Sequence, residues 1–276
     1  MTSVAQALGQ ARALGLTSLD AQVLLARVLA STRTGLIAND DRVLSSDEER
    51  TWADWLARRA AGEPVAYVLG EKEFSGLLFE VRAGVLVPRP ETELLVDWAA
   101  SLLDQRPRHS TVLDLGTGSG AIALALKHRC PRARVTATDA SAVALKVAGS
   151  NAGRLGLDIE LVAASWWEGL AARRFDLVVA NPPYVAADDP HLAALGHEPF
   201  EALASGTDGL DALTAIARSA TDHLEDGGWL LLEHGFDQGP AVRALLAAAG
   251  LAQVGTRQDL AGHERVTGGF RVSPAG

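Results

Sequence analysis

From residue 111 onward the chain alternates short apolar runs with segments of helical period, a pattern that few architectures accommodate. "TVLDLG" leads to "GAIALALKHR" and "RVTATD" to "SAVALKVAGSNAGRLG". "IELVAAS" and "FDLVVANPP" follow, then "GLDALTAIARSATDHL", "GWLLLEHG" and "GPAVRALLAAAG". Strands that are apolar almost throughout suit a sheet covered on both faces, and strand–helix alternation builds such a sheet from parallel strands. The last two runs, "AQVGTRQD" and "ERVTGGFRV", read as strands joined by a short loop. The expected class is α/β, a mostly parallel sheet with an antiparallel edge strand.

The first ~60 residues carry apolar positions at three- and four-residue spacing, the pattern of amphipathic helices. Ser46 and Glu49 fit a capping box ahead of "RTWADWLARRAAG", and Gly62 and Pro64 stop that helix. "VAYVLGEKEFSGLLFEV" reads as a hairpin turning at Ser75-Gly76, and a helix begins near Glu91 after Pro88 and Pro90. The expected organisation is a helical domain over 1–63, a β-hairpin linker over 64–88 and an α/β domain over 89–276.

A formal net charge of −9 argues against broad nucleic-acid binding, which rests on many Lys and Arg contacts to phosphate. The one cysteine, Cys130, permits no internal disulfide and no cysteine-based zinc cluster, and it reads as a small half-buried residue. The seven histidines show no metal-ligand spacing on a helix face, so no metal is expected. With no signal peptide and no apolar run near the ~20 residues that span a bilayer, a soluble cytoplasmic protein is expected.

Chemistry concentrates after the strands. The first strand of the alternating region runs into Gly116-Thr117-Gly118-Ser119-Gly120, and Asp139 ends the next. Glycines allow backbone to approach a ligand, and a carboxylate at the end of the second strand can accept from both hydroxyls of a ribose. Gly116, Gly118 and Ala121 also satisfy a dinucleotide fingerprint, so an NAD(P) enzyme and an adenosyl-ligand enzyme both fit. Asp114, inside the first strand, either faces the ligand or caps the loop.

The fourth strand ends in Asn181-Pro182-Pro183-Tyr184. The nitrogen of an amide or aromatic amine has a delocalised lone pair and is a poor nucleophile. A site that accepts both of its N–H bonds orients the group and makes the lone pair more available. The Asn181 side-chain oxygen and the Pro182 carbonyl are two such acceptors, the prolines stiffen the backbone, and Tyr184 offers a flat wall. With S-adenosylmethionine as the adenosyl ligand, the chemistry is methyl transfer from a sulfonium, which needs positioning rather than a metal or a protein nucleophile.

Several stretches resemble the release factor glutamine methyltransferases, the PrmC/HemK family: "GEKEFSGLLFEV", "VLVPRPETELLV", "LDLGTGSGAIALAL", "ATDASAVAL", "VVANPPYV", "EPFEALASGTDGLD", "GGWLLLEHGFDQG" and "GHERVTGG". The resemblance implies a Rossmann-like methyltransferase domain behind a helical domain and a hairpin. It implies methylation of the glutamine side chain in the Gly-Gly-Gln loop of peptide chain release factors, with S-adenosylmethionine as cofactor and S-adenosylhomocysteine as product. By the same resemblance Gly116, Thr117, Gly118, Ser119 and Gly120 surround the methionine part of the cofactor. Asp139 holds the ribose, Trp166 lies near the adenine, and Asn181 touches both cofactor and substrate. Asn181, Pro182, Pro183 and Tyr184 form the glutamine clamp, with Asn181, Pro182 and Tyr184 as the catalytic set. Glu91 matches a signature position and reads as a helix-start acid. Many relatives place an acid where Ser165 stands, and Ser165 can accept from the adenine amino group without charge. Trp167 reads as a core residue.

Three other readings compete. An adenine-amino methyltransferase acting on DNA or RNA would use the same clamp on a flipped base, but the acidic charge opposes it. An NAD(P)-dependent oxidoreductase would make the tetrad accidental. A non-catalytic adenosyl-binding protein would have no use for the clamp. The helical N-terminal domain carries no chemistry and is expected to dock the body of the release factor, since one loop in a cleft supplies less than the ~800 Å² per partner of a typical specific interface.

Overall fold

The structure is a computed structural model that describes residues 1–106, 109–170 and 173–273. The chain divides into two compact units, Met1–Glu71 and Lys72–Gly276.

The first unit holds α1 (Val4–Ala13), α2 (Ser18–Val28), α3 (Arg33–Ala38), α4 (Ser46–Ala60) and α5 (Val65–Leu69). Leu24, Leu25, Leu36, Trp52 and Val68 meet in one apolar cluster. The capping box lies one residue earlier than the sequence suggested. Ser45 is the extended N-cap of α4 and Glu48 reaches back to it, with Glu48 also paired to Arg42. Two overlapping Ser-x-x-Glu frames exist, and Glu49 is taken up by the backbone N–H of Thr2 at 2.6 Å. "VAYVL" is helix α5 rather than a strand. Pro64 precedes it and Gly70 closes it in the left-handed region, while Ala66, Tyr67 and Val68 are buried, so caps and burial override β propensity.

The hairpin is accordingly shorter, β1 (Glu71–Phe74) and β2 (Leu77–Glu80), with positive φ at Ser75 and Gly76 as a tight two-residue turn requires. A short 3-10 turn over Pro90–Thr92 leads into α6 (Glu93–Leu103). The alternating region then supplies β3 (Thr111–Leu115), α7 (Ala121–Arg129), β4 (Arg134–Asp139), α8 (Ala142–Leu155), β5 (Glu160–Ala163) and β6 (Phe175–Ala180). It ends in α9 (Asp211–Arg218), α10 (Ala220–His223), β7 (Leu224–Glu233), α11 (Gly239–Ala248), β8 (Leu251–Gln258) and β9 (Glu264–Arg271). The single helix expected over "GLDALTAIARSATDHL" is broken at Ser219 into α9 and α10.

Strands β1 and β2 pair with each other, and the remaining described strands form a sheet in the order β5-β4-β3-β6-β7-β9-β8. β3, β4, β5, β6 and β7 pair in parallel, and β9 inserts antiparallel between β7 and β8. Register sets the site. Leu115 stands beside Thr138 and Ala180, and Ala180 beside Leu232. The residues that follow, Gly116, Asp139, Asn181 and Glu233, therefore emerge in one row at the carboxyl edge. Strand order reverses between β3 and β6, which is where open α/β sheets bind ligands.

Candidate active site

A cavity of about 480 Å³ opens at that reversal point, within the usual range for a small-molecule site. Gly116, Gly118, Asp139, Ser165, Trp166, Asn181, Pro182 and Pro183 line it, together with Gly84–Leu86 and Pro199, Glu201 and Ala202. The sequence brought forward most of these positions; the structure adds the two rim segments.

The glycine loop is shaped from below. Gly116, Gly118 and Gly120 have φ of +73°, +56° and +84°, which side-chain-bearing residues rarely adopt. A Cβ at Gly118 would project into open space, so the absence of side chain there keeps the cavity clear. Thr117 and Ser119 are buried and do not line the cavity. Asp114 is buried beneath the loop and ties it. Its Oδ2 accepts from Thr117 Oγ1 at 2.6 Å and from the N–H of Ala123 at 3.2 Å, while Oδ1 has no partner among the described residues. Burial pushes its carboxyl up to about 7, against the pull of those hydrogen bonds. Of its two possible roles, the structure assigns the cap. Gly120 packs against α8, where a Cβ would lie 3.2 Å from that of Ala148.

Asp139 serves the loop as well as the cavity. Oδ2 accepts from the N–H of Gly118 at 2.9 Å and Oδ1 from that of Ser141 at 2.8 Å. An ionised carboxylate has about four acceptor sites, so about two remain for a ligand's hydroxyls. Trp166 lines the cavity with φ +49°, a strained conformation for an aromatic residue that costs about 1–3 kcal/mol. Its ring lies 3.5 Å from where a Gly116 Cβ would stand. Trp167 turns the other way, stacks on His223 and donates to the carbonyl of Ile216, a core role.

Asn181 presents its side chain in a fixed sense. Nδ2 donates to Thr92 Oγ1 at 3.1 Å, which leaves Oδ1 as the acceptor available to the cavity. Pro182 and Pro183 continue the wall. The Tyr184 ring, in contrast, packs partly buried against the core of the sheet and is not on the cavity wall. Its carbonyl accepts from Gln238 Nε2.

Three anchors escaped the sequence reading. Glu198 is buried, accepts from the N–H of Val87 at 3.0 Å and pairs with Arg89, so it holds the two rim segments together. Asn151 on α8 bonds both the hairpin, at the N–H and carbonyl of Glu80, and the carbonyl of Ser119. Glu233 is buried beside Thr92 and Asn181. The signal for Glu233 was present: an acid closing the apolar run "WLLLE", as Asp114 interrupts "VLDL". Glu91 is exposed at the 3-10 turn before α6.

A glycine cradle, an acid on the adjacent strand and a proline-stiffened acceptor at the reversal point define a Rossmann-like methyltransferase. Residues 92–201 match the methyltransferase small domain, and residues 2–70 match the PrmC N-terminal domain. The chain is 50% identical over 261 residues to the release factor glutamine methyltransferase of Bordetella pertussis, covering 93% of this chain and 96% of that one. It is 48% identical to the corresponding protein of Xylella fastidiosa, strain Temecula1, covering 91% and 92%. The chain belongs to the release factor glutamine methyltransferase family and is an enzyme of that class. Among solved structures, the 16S rRNA N2 G1207 methyltransferase of T. thermophilus, in complex with AdoMet and guanosine, aligns with a TM-score of 0.54 at 21% identity. That alignment covers 73% of this chain and 49% of that one, and it shows a shared fold.

Proposed function

We propose that this protein methylates the side-chain amide nitrogen of the glutamine in the Gly-Gly-Gln motif of peptide chain release factors, with S-adenosylmethionine as methyl donor, S-adenosylhomocysteine as product and no metal. The observation that carries the reading is the meeting of Gly116, Gly118, Asp139 and Trp166 with Asn181–Pro183 around one cavity. The cavity fits the cofactor: Gly116 and Gly118 present bare backbone, Asp139 retains acceptor sites for ribose hydroxyls, and Trp166 and Ser165 lie on the wall beyond β5 for the adenine. When bound, S-adenosylmethionine supplies a methyl group already activated by its sulfonium. Asn181 Oδ1 and the Pro182 carbonyl accept the two N–H bonds of the glutamine amide, hold the nitrogen in line and favour electron density on it. Val85 and Leu86 on one rim and Pro199 and Ala202 on the other help to exclude water. The helical domain of residues 1–63 docks the body of the release factor. The reading places the protein in the cytoplasm, without stable nucleic-acid binding; no described helix is long and apolar enough to cross a membrane.

Asn181→Ala should leave cofactor binding nearly unchanged and lower methyl transfer to release factor by roughly 10²–10³, the scale of one lost preorganised electrostatic group. Labelled-methyl transfer, with release factor, DNA and RNA offered separately, tests both substrate and residue. Label on adenine and none on the release factor would reject the assignment.

A further inference from the structure

The clamp works only if Asn181 offers its oxygen, and an amide can turn either end to a cavity. On the reading of Asn181 as the amide acceptor, we propose that Glu233 is a positioning residue that acts through Thr92 to fix the Asn181 side chain with Oδ1 toward the substrate.

Hydrogen-bond direction decides which end of the Asn181 amide meets the cavity. Glu233 closes β7 in the same row as Asn181 and is 1% exposed. The side chains of Thr92 and Asn181 lie beside its carboxyl and favour its ionised form, while Oε2 has no partner among the described residues. An ionised carboxylate only accepts. Thr92 Oγ1 accepts from Asn181 Nδ2 at 3.1 Å, so its single hydroxyl proton is left to turn toward Glu233. In this arrangement the Asn181 amide and the Thr92 hydroxyl both donate in the direction of the carboxylate. A flipped Asn181 would set its oxygen against that carboxylate and take the Thr92 proton away from it. Leaving such buried groups unpaired is a heavy penalty, so one orientation prevails. A simple stabilising role fits poorly, because a buried carboxylate with an orphaned oxygen destabilises a fold.

Protonation should loosen the device, since a neutral carboxylic acid can donate to Thr92 and let the chain reverse. Burial pushes the Glu233 carboxyl up to about 7, with Thr92, Arg265 on β9 and Asn181 favouring the ionised form and Glu91 opposing it. Tyr184, beyond β6, also feels Glu233. Transfer should therefore be full above that value and fall as pH drops through it.

The test uses full-length Glu233→Gln, Thr92→Val and Thr92→Ser, with thermal melts to confirm folding. In protein labelled with ¹⁵N-asparagine, the Asn181 side-chain N–H₂ resonances, assigned by their loss in Asn181→Ala, should move in Glu233→Gln and Thr92→Val and stay in Thr92→Ser. With release factor as substrate, kcat should fall about tenfold or more in the first two and recover to within about threefold in Thr92→Ser, with KM for S-adenosylmethionine little changed. The acid limb of the pH profile should vanish in Glu233→Gln. Unmoved resonances in both Glu233→Gln and Thr92→Val would overturn the proposal whatever the activity. Moved resonances with no release-factor methylation by the wild-type protein would refute the functional reading and leave the positioning role standing.

Discussion

Replacing Asp139 separates the loop contacts of its carboxylate from the ribose contact proposed for it. Its oxygens bind the N–H of Gly118 at 2.9 Å and that of Ser141 at 2.8 Å, and about two further acceptor directions remain for a ribose. Asp139→Ala removes the charged acceptor proposed for the ribose, worth about 1.5–3 kcal/mol for one net charge-assisted bond. That is a rise in Kd of about 10- to 150-fold at 1.4 kcal/mol per decade. It also frees Gly118, a glycine in the left-handed region with no side chain to hold it, so the loop loses preorganisation and the low end of the range is a floor. Asp139→Asn sharpens the case. If the residue served the ribose alone, the Asn oxygen would retain part of the affinity. The structure predicts little rescue, because the new –NH₂ must oppose the N–H of either Gly118 or Ser141. Calorimetry with S-adenosylhomocysteine measures both. A Kd within about threefold of wild type for Asp139→Ala would refute the ribose role, and near-wild-type binding by Asp139→Asn would refute the loop argument.

Asp114→Asn keeps acceptors for Thr117 and Ala123 and removes a buried charge. Because the folded pKa, about 7, lies above the unfolded value, ionisation weighs against the fold: the wild-type protein should lose stability relative to the variant as pH rises toward 7, by about 2–3 kcal/mol between roughly pH 5 and pH 8, in urea titrations. A pH-independent difference would contradict this. Deleting residues 1–71, the whole first unit, should leave S-adenosylmethionine binding intact and raise KM for release factor far more than it lowers kcat. Equal activity of both forms would exclude docking.

What the sequence made legible is what acts locally. Three positive-φ glycines, an acid closing the next strand and Asn-Pro-Pro after β6 each declare themselves within a few residues. "VAYVL" misled because β-branched and aromatic residues favour strands, whereas Pro64, Gly70 and burial decide for a helix. Thr92, Asn151 and Glu198 gave no local sign: their partners lie 89, 71 and 111 residues away, and only the folded sheet joins them. The Tyr184 ring could not be placed from its motif, since the motif does not specify which side of the loop faces the core.

The two buried acids share a logic that explains why an interior would keep them. Asp114 and Glu233 each have one oxygen without a partner among the described residues, and burial raises both to about 7. Apolar replacements would suit a sheet covered on both faces better. Each acid, however, lies directly behind a loop at the cavity: Asp114 behind the glycine loop through Thr117 and Ala123, and Glu233 behind the proposed clamp, beside Thr92 and Asn181. When ionised, a carboxylate only accepts, so the neighbours that bond it must turn their donors inward. The cavity consequently receives what those neighbours have left to offer: bare glycine backbone on one side and an amide oxygen on the other. Stability is given up in the strands so that the loops at their ends need no rearrangement when cofactor and substrate arrive.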